Sequence, residues 1–533
     1  MPNQPSKIYL YDTTLRDGSQ RRDISYSLND KIRIAHLLDD FGMDYIEGGW
    51  PGSNPKDAEF FEHFKSNPLK NSRLVAFGST RKISAKIEED KQILSLLDAG
   101  TEVVTLVAKT SVLHVEQILQ TTLAENLKMI ADSVEFFHKH EREVILDAEH
   151  FFDAYQDNPE YALACLKVAE KAGANWLVLC DTNGGKLPDF ISETVSQVKQ
   201  NISINIGVHC HNDCELAVAN SLAAVIAGAT QIQGTVNGYG ERCGNANLTS
   251  IIPTLQLKMN VNCLAKEKLP AISELSKQIA ELANINLDPF AAYVGSAAFA
   301  HKGGIHVAAV EKTSASYEHI PPETVGNHRQ VIVSDLSGRS NIRLRAENLG
   351  LKLEQDEVAI LNHVKNLENQ GLPLEGADGT FELAIRRMES DYQSPFELIE
   401  TNVHSSSKHG NGFNNQASVK IRFKGEILHT IAESDGPVDA LDKAIRKALE
   451  PVFPELKNVK LTDYKVRILD PKNAASATTR VWIEASDENN HWSTVGCSAS
   501  IVEASSYALA DSFELFILQN ISNRRSQHGH QAA

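Results

Sequence analysis

The sequence predicts an α/β chain: an eight-stranded (β/α)8 barrel of the TIM type, then a helical linker region, then a C-terminal α+β domain made of a duplicated β-rich unit closed by a helix. Three observations predict it. Eight short β-rich apolar runs alternate with amphipathic segments of helical length in the first half of the chain. Four of the joins from a helix into the next strand carry a glycine where a left-handed C-cap belongs. After residue 417 the same order of strands and helix occurs twice.

The runs, in order, are KIYLYDTT, MDYIEGG, RLVAFGST, VVTLVAK, EVILDAEH, WLVLCDT, NIGVHCHND and TQIQGTVNG. Between them lie segments such as LNDKIRIAHLLDDFG and CELAVANSLAAVIAGA, whose apolar residues recur at helical spacing. Gly42, Gly100, Gly173 and Gly228 are the four helix-ending glycines. Eight parallel βα units close into a barrel whose chemistry sits at the C-terminal strand ends. The region from about 255 to 390 reads as mostly helical, interrupted by the glycine-rich YVGSAAFAHKGGIHVAA. NVHSSSKHGNGFNNQ, residues 402–416, reads as a flexible polar loop. Beyond it Val419, Ile421 and Phe423 alternate with charges, and a helix carries Val438, Leu441, Ile445 and Leu449 on one face; Tyr464, Val466 and Ile468, then TRVWIEAS and a final helix, repeat the order. The expected division is 1–285 barrel, 286–390 linker, 391–521 regulatory domain and 522–533 disordered tail.

Composition excludes several functions. The 533 residues carry 42% hydrophobic and 23% charged side chains, with no apolar stretch long enough to span a bilayer. A formal charge of −17 argues against nucleic acid or an anionic membrane as partner. Seven scattered cysteines and a start without basic or apolar character point to a reducing cytoplasm.

The motif VHCHND holds the clearest chemistry. Side chains on a strand alternate faces, so His209 and His211 point the same way, at the C-terminal end of the seventh strand. Strand one ends in YDTTLRDGSQ, which brings Arg16 and Asp17 to the same mouth; strand five ends with Glu149, and strand six with Thr182. Asp17, His209 and His211, with Asn245 as a neutral oxygen donor, suit a divalent ion such as Mn, Co, Mg or Zn. Such an ion polarises the ketone of a 2-oxo acid, and Arg16 is placed to stabilise charge developing on an oxygen.

DTTLRDGSQ, HCHNDCELAVANSLAAVIAGA, GTVNGYGERCGNANL and AFAHKGGIHVAAV together resemble the metal-dependent Claisen-condensing acyltransferases, which include the isopropylmalate, homocitrate and citramalate synthases. The resemblance covers nearly the whole chain, and IEGGWPGSNPKD, DAEHFFDAY, DTNGG and VSDLSGRSN look most like the citramalate synthase branch. It implies condensation of acetyl-CoA, as co-substrate, with pyruvate to give citramalate, on a threonine-independent route to isoleucine. The alternatives are a 2-isopropylmalate synthase using 2-oxoisovalerate and, in another class, a lyase running the reverse cleavage. By the same resemblance Asp17, His209, His211 and Asn245 hold the metal, Arg16 acts on the keto oxygen, Thr182 touches the oxo acid's carboxylate, and Glu149 lies beside the acetyl methyl group. His301 and Tyr317 are implied to reach a partner's active site in a homodimer, with Glu149 or His301 as the base.

Two departures stand out: Gln233 occupies a position where relatives often carry an acid, and Val104 one where isopropylmalate synthases tend to show a histidine. Val104, with Leu106 nearby, is expected to shape a pocket for a methyl-sized oxo acid. In the C-terminal repeat, ESDGPVDA and VGCSASIVEA read as small polar turns before helices, so Gly436, Pro437, Val438, Gly496 and Ser498 are expected to bind an amino-acid effector, isoleucine or else leucine.

Overall fold

The computed structural model describes residues 7–334, 337–351, 353, 356–407, 413–469, 477–487 and 490–529. It divides into two compact units: residues up to Phe299 together with Ile320–His328, and Ala300–His319 together with the chain from Arg329 onward.

In the first unit all eight expected strands form one closed parallel barrel: β1 (Tyr9–Asp12), β2 (Tyr45–Gly49), β3 (Arg73–Ser79), β4 (Val103–Lys109), β5 (Glu143–Glu149), β6 (Trp176–Asp181), β7 (Asn205–Cys210) and β8 (Gln231–Gly234). Closure comes from β1 pairing with β8, in the register Tyr9↔Gln231 to Asp12↔Gly234. The helices between them start and stop where local chemistry dictates. Leu28–Phe41 opens on a capping box between Ser27 and Asp30 and ends at Gly42, whose φ of 105° a residue with a Cβ adopts only with strain. Gly173 and Gly228 end their helices in the same left-handed way, and Gly100 also has positive φ.

Strand alternation splits the apolar residues into two layers. Leu10, Ile46, Ala76, Val104, Leu106, Val144, Leu146 and Leu177 face outward and belong to the large core shared with the helices. Tyr11, Tyr45, Val75, Val103, Ile145, Trp176, Val178 and Cys180 fill the barrel interior. Val104 and Leu106 are therefore wall residues and do not line the mouth, contrary to expectation; the inward neighbours on β4 are Thr105 and Val107.

The second unit begins with a short pairing of β9 (Ala300–His301) with β10 (Gln330–Val331), followed by helices Gly304–Lys312, Arg339–Asn348, Glu357–Asn369 and Asp378–Arg386. Two three-stranded antiparallel sheets follow. One comprises β11 (Glu397–Ser407), β12 (Phe413–Phe423) and β13 (Glu426–Ser434); the other β14 (Lys460–Ile468), β15 (Thr479–Ser486) and β16 (His491–Ser498). Helix Pro437–Leu449 packs on the first and helix Ile501–Gly529 on the second, which is the duplicated unit read from the sequence. Two expectations change. Residues 402–416 are mostly hairpin, paired from Asn402↔Ser418 to Ser407↔Phe413, with only 408–412 outside the described residues. Backbone pairing holds these polar strands, so they lack the apolar alternation that reveals a strand in sequence. The last helix continues to Gly529, where a disordered tail from 522 was expected; 530–533 lie outside the described residues. Among the described residues no helix is long and apolar enough to cross a membrane.

Candidate active site

At the C-terminal mouth of the barrel a cavity of about 710 Å3 collects Arg16, Asp17, Gln20, Asp147, Glu149, Thr182, His209 and His211, with Trp50, Phe77, Val107, Leu119 and Met129 as its apolar wall. It sits where the strand-end rule places chemistry.

After β1 the chain turns sharply. Asp12 points away from the cavity and accepts from the backbone N and the hydroxyl of Thr14, and burial pushes its carboxyl up to about 7. That turn delivers Asp17, whose Oδ2 lies 3.3 Å from His209 Nε2 and 3.8 Å from His211 Nε2. One ligand atom from each of the three lies within 4.8 Å of the others, close enough to share one ion. All three are buried. Burial opposes ionisation of Asp17, but Arg16 and then His209 hold its carboxyl well below the usual range. His209 is raised by Asp17 against the opposing effect of burial, whereas burial and His209 push His211 down to about 4.

Asn245, on the β8 side, has its backbone bridged to that of His211. Its Nδ2 donates to Tyr239 O at 3.1 Å, which leaves Oδ1 buried without a partner. A buried oxygen without a partner, on a residue whose backbone is bridged to His211, is a neutral donor of the kind a divalent cation takes. The surrounding loop folds this tightly because Gly240 has no side chain: a Cβ there would stand 2.1 Å from Asn245 Nδ2.

Arg16 is held from three sides. Its Nε donates to Glu47 Oε2 at 2.5 Å, its NH1 lies 3.4 Å from Asp17, and its guanidinium sits 3.9 Å over the Phe77 ring. Glu47 is fully buried and also accepts from Tyr11 OH at 2.6 Å, while Tyr11 bonds Thr105. Across the barrel, Asp147 accepts from Gln233 Nε2 and Gln233 Oε1 meets His209 Nδ1. Burial, then Glu47, pushes Asp147 up to about 7, a value that a cation beside His209 lowers. Sequence reading missed Glu47, Thr105, Asp147 and the contact of Gln233. Glu47, Thr105 and Asp147 are each a lone polar residue among apolar neighbours on their strands, a signal that shows in the sequence, whereas Gln233 shares β8 with Gln231 and stands out by no such contrast.

Glu149 reaches the cavity as an ion pair with Lys109. Thr182 accepts from the backbone N of His150 at 2.8 Å, so its hydroxyl hydrogen is free to donate elsewhere. In the second unit, His301 Nε2 lies 3.2 Å from Glu318 Oε1, and Arg329 clamps that carboxylate with two bonds of 2.6 Å. Tyr317, half exposed, stacks on His306 at 4.1 Å.

The regulatory candidates fall less neatly. Gly436 precedes the helix starting at Pro437, without a side-chain cap, and Val438 follows in its first turn. Gly496 lies inside β16 and not in a turn; a Cβ there would stand 2.0 Å from Ala504 O, so this glycine permits close strand-to-helix packing. Ser498 ends that strand and bonds the first-turn acid Glu503, as Ser434 bonds Asp439 in the first repeat.

Comparison with known proteins agrees with this anatomy. The HMGL-like family model matches residues 7–277, the homocitrate synthase post-HMGL domain-like model 293–372, and the LeuA allosteric (dimerisation) domain model 375–517. Barrel, mouth and C-terminal domain thus define an acyltransferase of the HMGL-like class. An (R)-citramalate synthase of Geobacter sulfurreducens is 48% identical over 513 residues, covering 96% of this chain and 97% of its own. One of Aquifex aeolicus is 49% identical over 511 residues, covering 95% and 97%. A 2-isopropylmalate synthase of Methanocaldococcus jannaschii is more distant, at 32% over 514 residues, covering 96% and 94%. The chain belongs to the (R)-citramalate synthase family.

Proposed function

We propose that this enzyme condenses acetyl-CoA with pyruvate and water to give citramalate and CoA. The observation that carries the reading is the convergence of Asp17, His209, His211 and the doubly anchored Arg16 in one cavity, in a chain nearly half identical to citramalate synthases. Asp17, His209, His211 and Asn245 hold a divalent ion, Mn, Co, Mg or Zn, which when bound supplies Lewis-acid polarisation of the ketone. Arg16 donates to the keto oxygen as negative charge develops there, pre-aimed by Glu47 so that little reorganisation is needed. Thr182 donates its free hydroxyl hydrogen to the oxo acid's carboxylate. A base, Glu149 or His301, takes a proton from the acetyl methyl group; the resulting enolate carbon adds to the ketone carbon, and water then cleaves the thioester.

His301 and Tyr317 act across a homodimer, with Glu318 and Arg329 fixing the imidazole. Isoleucine is the effector, with leucine the alternative. The paired helix starts at Ser434–Asp439 and Ser498–Glu503 offer the donors and acceptors that the charged ends of an amino acid use. No disulfide joins Cys165, Cys180, Cys210, Cys214, Cys243 or Cys263, which suits a cytoplasmic location. We retain residues 1–285 as the catalytic segment and 286–390 as the linker, with the regulatory segment running from 391 into the helix that ends at Gly529.

Measuring CoA release with pyruvate against 2-oxoisovalerate tests the reading, and the same assay with millimolar isoleucine tests the effector. A kcat/KM for 2-oxoisovalerate equal to or above that for pyruvate makes the enzyme an isopropylmalate synthase. Unchanged rates with both isoleucine and leucine remove the effector.

A further inference from the structure

We propose that Gln233, oriented by Asp147, is a positioning residue that decides which nitrogen of His209 faces the metal site. The inference rests on the reading of Asp17, His209 and His211 as ligands. Gln233 on β8 stands in register with His209 on β7 and is fully buried, with Asp147 on β5 across the barrel. Its Nε2 is 3.0 Å from Asp147 Oδ1 and its Oε1 is 2.9 Å from His209 Nδ1.

An amide has one donor end and one acceptor end, whereas a carboxylate only accepts. The NH2 of Gln233 donates to Asp147 Oδ1, and its oxygen faces His209. An acceptor at that point requires a hydrogen on His209 Nδ1, which leaves the lone pair on Nε2. Nε2 is the nitrogen that lies 3.3 Å from Asp17 Oδ2, inside the ligand cluster. The opposite tautomer would turn an N–H toward the ion and would not bind it.

A metal-bound histidine commonly donates its second N–H straight to a carboxylate or carbonyl. Here a neutral amide is interposed and the acid stands one bond further back. The reason is the neighbourhood: with Asp147 and Glu47 already buried nearby, an acid at 233 would put two carboxylates face to face at hydrogen-bond distance. Gln233 carries the orienting effect of Asp147 to His209 without adding charge.

The test titrates metal-free full-length protein with Co2+, following heat and the visible absorption of the bound ion. Wild type should bind one Co2+ per chain. Gln233→Leu removes the acceptor and should weaken binding about 10- to 100-fold, as loss of an outer-shell partner does. Asp147→Asn frees the amide to flip and should weaken binding about tenfold or more. In the double variant D147N/Q233E, Glu accepts directly from His209 Nδ1 while Asn donates to Glu, so most of the affinity should return. A purely structural role predicts further loss in the double variant, not recovery. Wild-type affinity in folded Q233L, or no recovery in the folded double variant, overturns the relay. Should Q233L not fold, D147N and the double variant carry the same decision. If wild type binds no Co2+ and His209→Ala is equally inert, the ligand assignment fails and the relay with it.

Discussion

Replacing Glu47 by glutamine tests whether the barrel interior aims Arg16. The fully buried carboxylate accepts from Arg16 Nε at 2.5 Å and from Tyr11 OH at 2.6 Å. Glutamine has the same shape, and every hydrogen bond has a replacement: its oxygen accepts from Arg16, while its NH2 donates to a Tyr11 hydroxyl that turns its own hydrogen to Thr105, 2.8 Å away. What disappears is the charge. A hydrogen bond involving an ionised group is worth about 1.5–3 kcal/mol against about 0.5–1.5 for a neutral one, so the expected loss is about 1–2 kcal/mol. That corresponds to a fall of roughly 5- to 30-fold in kcat/KM for the oxo acid, with KM for acetyl-CoA unchanged, because Arg16 acts on the ketone. The melting temperature should drop by only about 2–8 °C. Glu47→Ala, by contrast, leaves a part-buried guanidinium with Asp17 at 3.4 Å and opens a hole in the barrel interior, so it should cost more stability than E47Q, about 2–4 kcal/mol. CoA release at varied pyruvate, with circular dichroism to confirm folding, provides the measurement. A folded E47Q within about twofold of wild type, or a defect confined to acetyl-CoA, refutes the reasoning.

Loading a cation into the Asp17 cluster must displace a proton from His209, which Asp17 holds raised, but not from His211, which titrates near 4. Metal affinity should therefore rise as pH increases toward the raised His209 value and flatten above it, with a proton released on binding below that value; affinity that does not change with pH as His209 titrates contradicts this. In the metal-free protein the same protonated His209 contributes stability that is present below its unfolded pKa and lost as pH rises through the folded one, so a melting series should decline in that direction. If His301 serves the partner's site, mixing inactive His301→Ala chains with inactive Asp17→Ala chains should restore about a quarter of wild-type activity, since half the dimers are mixed and each holds one intact site; no recovery in verified heterodimers places both groups in one chain's own site.

The repeating features of this protein were legible in the sequence because they rest on local chemistry. A helix ending in a left-handed turn calls for glycine, which marked Gly42, Gly100, Gly173 and Gly228, and all four have positive φ. Two histidines one residue apart along an extended chain share a face whatever surrounds them, so the sequence alone pairs His209 with His211, and the end of β1 supplies Asp17 by the strand-end rule.

The inner face was another matter. A parallel barrel strand is buried on both sides, so its apolar pattern does not tell which side faces inward. Val104 and Leu106 were assigned to the pocket for that reason, although Thr105 and Val107 are the inward pair. The polar strands at 402–416 read as a loop in sequence, and Gly496 as a turn, because backbone pairing and close packing leave no mark in composition. Only closure of the barrel decided that Glu47, Tyr11, Thr105, Asp147 and Gln233, from five different strands, bond one another around Arg16 and His209. Such contacts span up to 94 residues of sequence, and no local rule of spacing reaches that far; they exist because closing the sheet removes these polar groups from water and leaves them only one another as partners.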